Sequence, residues 1–235
     1  MTRCLVIDIE TKVDRMALAA SGRRTAPRDM PAPLQVLTAV GILSFVRDQA
    51  GQLSDFGLVS HQAKAGGEAA VAVATEIELR RLHAAAGELV TFNGHHDLTV
   101  LRLALLRGRM FGGAGVAPWL AAPADRHRDL MLEVSGEGRW SRLADLAAGL
   151  GFAGPSIAVT AIEAGGETAK AELDVCLTTL LHIHLDAERR GDAAGLARAL
   201  LAFGRFLAAR VPRARHLAGL LKSPLYADAN HTLRA

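Results

Sequence analysis

The chain opens with an apolar run over 4–9 that closes on the carboxylates Asp8 and Glu10, a pattern that predicts a buried strand. Sequence rich in Pro, Arg and Gly over 20–33 predicts a loop. The runs 35–46 and 57–60 flank the turn-forming stretch RDQAGQ and predict a hairpin. Ala-rich sequence with apolar residues at helical spacing and no Pro predicts a helix over 68–86. A short strand over 88–92 stops at Asn93-Gly94, a helix follows over 98–106, and 112–123 reads as a loop. A short edge strand over 129–132 and a helix over 141–150 come next, then two long helices over 168–189 and 193–209 separated by Gly191-Asp192. Strands first, then helix and strand in alternation, then a helical tail: this order predicts an α/β fold in which helices cover a central mixed sheet.

Composition narrows the class. Half of the 235 residues are hydrophobic and the net charge is +3, which excludes a disordered chain. A chain of this length buries roughly 70% of its unfolded surface. Apolar stretches are broken by Arg, Asp or Glu well before the roughly 18 residues that a membrane span needs. The opening MTRCLVIDIE meets two carboxylates before a signal-peptide core is complete, so a cytoplasmic protein is expected. Cys4 and Cys176 stand far apart in apolar contexts with no CxxC pair, which predicts buried free thiols rather than zinc ligands or a disulfide. Arginines cluster at Arg23-Arg24, Arg80-Arg81, Arg107-Arg109, Arg126-Arg128 and Arg210-Arg215. The guanidinium fork suits phosphate oxygens, although most such runs are solvated faces.

The candidate chemistry lies in four acidic residues carried by three segments. Side chains alternate along a strand, so Asp8 and Glu10 share one face while Ile7 and Ile9 take the other. Two like charges roughly 6 Å apart at the end of a buried strand call for a proton or a cation between them, unless water solvates them. Asp97 follows the strand end at Asn93-Gly94 and opens a helix, where a carboxylate usually caps amides. In an open α/β sheet, however, ligand crevices form where strands end at their carboxyl side. Asp174 sits among Leu173, Val175, Cys176 and Leu177 on a mostly apolar helix, so it faces either solvent or a metal.

In this order these pieces resemble the DEDD superfamily of 3′–5′ exonucleases, with its ribonuclease H-like fold of about five strands flanked by helices. Asp8 and Glu10 match the first motif, Asp97 the acid closing the second and Asp174 the acid of the third. Within the superfamily the likeness is to bacterial predicted exonucleases related to the proofreading domain of B-family DNA polymerases. It is carried further by Leu98 and Val100-Leu101-Arg102, by His127-Arg128-Asp129-Leu130-Met131, and by Leu143-Ala144-Asp145-Leu146-Ala147 running into Leu150-Gly151. It implies an exonuclease-like domain over 1–190, with 191–235 a C-terminal helical extension packed on the same domain. It also implies two divalent cations, Mg²⁺ or Mn²⁺, roughly 3.5–4 Å apart. Asp8 would bridge them, Glu10 would bind one ion near the terminal 3′-hydroxyl, Asp97 the second, and Asp174 the ion on the nucleophile side. Thr11 and Asn93 would contact the substrate, a single-stranded DNA or RNA 3′ end, with phosphates supplying most of the affinity. The setting would be DNA repair; no membrane is expected, and no protein partner is specified.

One departure stands out. The superfamily's third motif carries a Tyr four residues before its Asp, or a His five before, and here those positions hold Lys170 and Ala169. The chain's one tyrosine, Tyr226, lies far beyond, and His182 and His184 fall roughly 12 Å or more along the helix. Lys170 is one turn from Asp174 on the same face, and among carboxylates its pKa should rise, so it is expected to modulate the site without acting as its base. Two competing readings follow: a catalytically reduced nucleic-acid-binding or protein-interaction module of the same fold, and a non-nuclease α/β protein whose acids are caps and surface residues. Phe92, Phe111, Trp119 and Trp140 are read as core rather than as base-stacking platforms.

Overall fold

The opening strand outruns its apolar core: β1 (Thr2–Val13) continues past Glu10 and pairs antiparallel along its length with β2 (Gln35–Arg47). A tight turn, in which Asp48 Oδ1 accepts from the Gln52 N–H, returns the chain into β3 (Leu53–Gln62), which extends on both sides of 57–60. On its other side β1 runs parallel to β4 (Glu88–Thr91), and β4 parallel to β5 (His127–Asp129), giving the order β3-β2-β1-β4-β5. This five-stranded mixed sheet flanked by helices is compatible with a ribonuclease H-like fold. The computed structural model describes residues 1–23, 30–63, 67–111, 115–135, 141–152 and 156–234, with backbone alone over 156–165. Arg24, Trp140 and parts of the loops expected over 20–33 and 112–123 lie outside the described residues.

The shorter helices include α1 (Arg15–Ala20), α4 (Ala117–Leu120), α6 (Leu143–Gly149) and α9 (Leu225–Thr232); the long ones divide between the two faces according to β1's alternation. Leu5, Ile7 and Ile9 pack with Leu37, Val40 and Ile42 of β2 beneath α2 (Gly67–Ala84) and α3 (Gly94–Arg107), a layer completed by the buried Trp119. Cys4 and Val6 pack on the opposite face with Leu43 and Phe45 against α7 (Ser156–Arg190), through Leu173, Cys176, Leu177 and Leu180. Both cysteines are free and buried. Beyond α7, the apolar stripe of α8 (Ala193–Arg210) adds Leu200, Phe203 and Leu207 to that core, and Phe203 lies 5.5 Å from the ring of Phe56 on β3. Among the described residues, no helix is long and apolar enough to cross a membrane.

Several boundaries differ from the expectation, each for a local reason. The third helix begins at Gly94 rather than at 98, because Asn93 adopts φ 68° and turns the chain directly out of β4. β5 ends at Asp129, whose carboxylate accepts the Met131 N–H and starts α5 (Leu130–Ser135) where strand was expected. α7 begins at Ser156, but Gly166, with φ 66° and ψ −150°, breaks it, so the straight part lies just beyond. Phe111 is 79% exposed and is not core, whereas Trp119 is fully buried and donates from Nε1 to the Leu79 carbonyl.

Candidate metal centre

Along the face of β1 that meets α7, the row Cys4, Val6 turns polar at Asp8 and Glu10. What brings α7 close enough to face them is a glycine. Gly41 is the β2 partner of Asp8, and a Cβ there would stand 2.4 Å from the Ala171 carbonyl oxygen, so only a residue without a side chain lets the helix backbone lie on the sheet at this point. Ala171 is one turn before Asp174, which is thereby set against β1. Oxygens of Asp8, Glu10 and Asp174 lie within 4.8 Å of one another. Just past Glu10 the register slips between Glu10 and Thr11, a bulge of the kind that re-aims side chains at strand ends.

Asp97 approaches from the other side of the sheet's centre. It lies buried in the first turn of α3 without serving as its cap, a place taken by Asn93. The turn is held by Asp129, whose carboxylate accepts the Asn93 N–H at 3.0 Å and the Gly94 N–H at 2.7 Å. In the sequence Asp129 stands out only as part of the stretch His127-Arg128-Asp129-Leu130-Met131; its role as the anchor of this turn depends on β5 lying beside β4. Asp97 stands outside the three-carboxylate group, yet its charge reaches Asp8.

The electrostatics are lopsided. Burial pushes the Asp8 carboxyl well above its ordinary range, and the charges of Asp174, Asp97 and Glu10 push it further against the opposing pull of Lys170. Asp97 is raised in the same way, first by burial, then by Asp129 and Glu10. Glu10 is raised by burial despite its bond to Lys170. The Lys170 ammonium lies 2.5 Å from Glu10 Oε1 and 2.8 Å from Asp174 Oδ2. Burial works against its charge, but Asp174, Glu10 and Asp8 outweigh it, so its pKa is raised and it stays a cation. Asp8 Oδ2 is buried and, among the described residues, has no hydrogen-bond partner.

The remaining expected residues have other company. Thr11 donates its hydroxyl to Gln35 Oε1, and Gln35 Nε2 bonds the Met30 carbonyl and sits 3.2 Å from His96 Nε2. His182 is buried against Arg128 and His184 bonds the Leu180 carbonyl, so neither takes the place of the missing Tyr or His. Most of the arginine clusters are engaged internally: Arg80 with Glu76, Arg81 with Glu78, Arg107 with Glu68, and Arg128 with Glu133.

The donor set fits a hard divalent cation. It is made of carboxylate oxygens alone, one of them buried and unpartnered, and oxygen-only sets suit Mg²⁺ or Mn²⁺. Asp8, Glu10 and Asp174 could therefore hold a metal ion. No protein-family model and no curated protein matches this chain.

Proposed function

We propose that this protein is a divalent-cation-dependent 3′–5′ exonuclease that acts in the cytoplasm on single-stranded DNA or RNA 3′ ends and releases nucleoside 5′-monophosphates. The observation that supports it most is the meeting of Asp8, Glu10 and Asp174 within 4.8 Å, around a buried oxygen that has no partner among the described residues. The resemblance of the ordered acidic motifs to the DEDD superfamily supplies the reaction class. Asp8, Glu10, Asp97 and Asp174 would hold Mg²⁺ or Mn²⁺, which supplies Lewis-acid polarisation of the scissile phosphate and lowers the pKa of the attacking water. Thr11 follows Glu10 on β1 and Asn93 caps the helix that carries Asp97, and both would position the terminal nucleotide. Lys170, held as a cation, cannot take a proton from that water. Loss of general-base help is worth about 10²–10⁴-fold, so slow but metal-dependent cleavage is expected.

The test is a 5′-labelled single-stranded oligonucleotide incubated with Mn²⁺. Stepwise shortening from the 3′ end with 5′-mononucleotide release, abolished by EDTA and by Asp8→Ala, is expected; an intact substrate at excess enzyme would rule the activity out. The Lys170 ion pairs favour one second reading, a catalytically reduced module that holds a nucleic-acid end or a protein without cutting. In that case Mn²⁺-dependent retention of the oligonucleotide would occur without shortening, and Lys170→Tyr would not bring cleavage back.

A further inference from the structure

We propose that Lys170 is a resident cation that occupies one of the two ion positions among the acids, so that the resting site takes a single divalent ion on the Asp8 side. This rests on reading the carboxylate group as a metal centre. The ammonium is bonded to Glu10 Oε1 and Asp174 Oδ2, two members of the group whose oxygens converge within 4.8 Å. Each of those carboxylates therefore already spends an oxygen on a positive charge. Asp8 does not: its Oδ2 is buried with no partner among the described residues, and it feels Asp174, Asp97 and Glu10 around it.

The position of the lysine is built into α7. It lies one turn before Asp174 on the same helix face, an i,i+4 pairing that the helix backbone maintains. Its side chain keeps 33% exposure, so the head has a route to water as well as to the acids. A divalent ion entering between Glu10 and Asp174 must either displace this ammonium or sit against it, and like charges at contact distance repel strongly where water is scarce. An ion entering beside Asp8 meets an oxygen that the ammonium does not bond, and feels the lysine's charge without having to displace it. The lysine thus does two jobs that a Tyr at the same position cannot: it neutralises part of the acid group in the metal-free protein, and it limits the number of ions bound.

Manganese alone, titrated by calorimetry and counted by electron paramagnetic resonance, tests this on the full chain. The expected count is one ion for the wild type and for Lys170→Arg, and two for Lys170→Met and Lys170→Gln. In EDTA the two neutral variants should also melt lower than the wild type and recover more on adding Mn²⁺. A wild-type count of two overturns the resident-cation role whatever the variants do, and so does an unchanged count of one in variants that fold; either result leaves the metal centre standing. No binding by any variant or the wild type overturns both.

Discussion

At the amino end of β1, Arg47 stands opposite Thr2 and Glu88 beside Cys4, and every buried carboxylate there is met by arginine. Arg47 reaches Glu88 at 2.5 Å and Asp186 at 3.1 Å, Arg190 adds a second bond to Asp186 at 2.8 Å, and Arg128 grips Glu133. At the carboxyl end of the same strand, Lys170 is the one cation among the described residues that pairs with the acids: it bonds Glu10 and Asp174 and reaches Asp8 and Asp97 only through its field. The two clusters lie roughly 13 Å apart along one strand, Glu88 and Asp186 buried at the first, Asp97 buried beside the half-buried Asp8, Glu10 and Asp174 at the second. The first is neutralised by its own arginines: Glu88 Oε1, like Asp8 Oδ2, has no hydrogen-bond partner among the described residues, but it faces Arg128 at 3.7 Å. The second is left short of positive charge, and that shortage is what makes it the group that could hold an external cation.

The comparison is broken most forcefully by changing one acid to its amide at each end. Glu88→Gln takes one carboxylate from Arg47 and Arg128, which keep Asp186 and Glu133, and burial already raises the Glu88 carboxyl; the loss of its charged hydrogen bond should cost about 2–3 kcal/mol in urea unfolding. A cost under half of that would mean that water reaches the arginines and that the two ends do not differ as described.

Gly41→Ala should come next, at about 1–3 kcal/mol, because the new methyl meets the Ala171 carbonyl and must push α7 off the sheet. The same displacement carries Asp174 away from Asp8, so Mn²⁺ affinity should fall along with stability. If stability falls while Mn²⁺ affinity is unchanged, the close approach at Gly41 is not what assembles the site.

Asp8→Asn has the smallest expected effect and the opposite sign. Since the folded protein holds the Asp8 proton above the pH at which the unfolded chain releases it, the group supports the fold below about pH 4 and withdraws that support as pH rises through its elevated value. The amide copies the protonated form at every pH. In EDTA, melting of the Asp8→Asn protein should match wild type near pH 4 and lie a few degrees higher at neutral pH. Equal melting at both pH values would show that Asp8 is solvated and carries no strain.

What the sequence made legible was whatever depends on near neighbours. Strand alternation put Asp8 and Glu10 on one face, and helical spacing put Lys170 beside Asp174. The fold class followed from the order of elements. The rest depends on partners far along the chain: nothing local to Glu88 announces Arg47 or Asp186, and nothing at Asp129 announces its bonds to the Asn93-Gly94 turn. Gly41 did leave a trace, a lone glycine within a strand of bulky residues, but what it makes room for appears only when α7 is laid across β2. Helix starts were misplaced for the same reason, since the left-handed turn at Asn93 is held by a residue from another strand.

Crystals soaked with Mn²⁺ and measured for anomalous scattering test the central claim most directly. The expected result is a peak at about 2.0–2.6 Å from carboxylate oxygens of Asp8 and its neighbours, with none at the arginine-closed cluster around Glu88. Millimolar Mn²⁺ leaving the Asp8 site without a peak, in crystals where Asp8, Glu10 and Asp174 still converge, would contradict it.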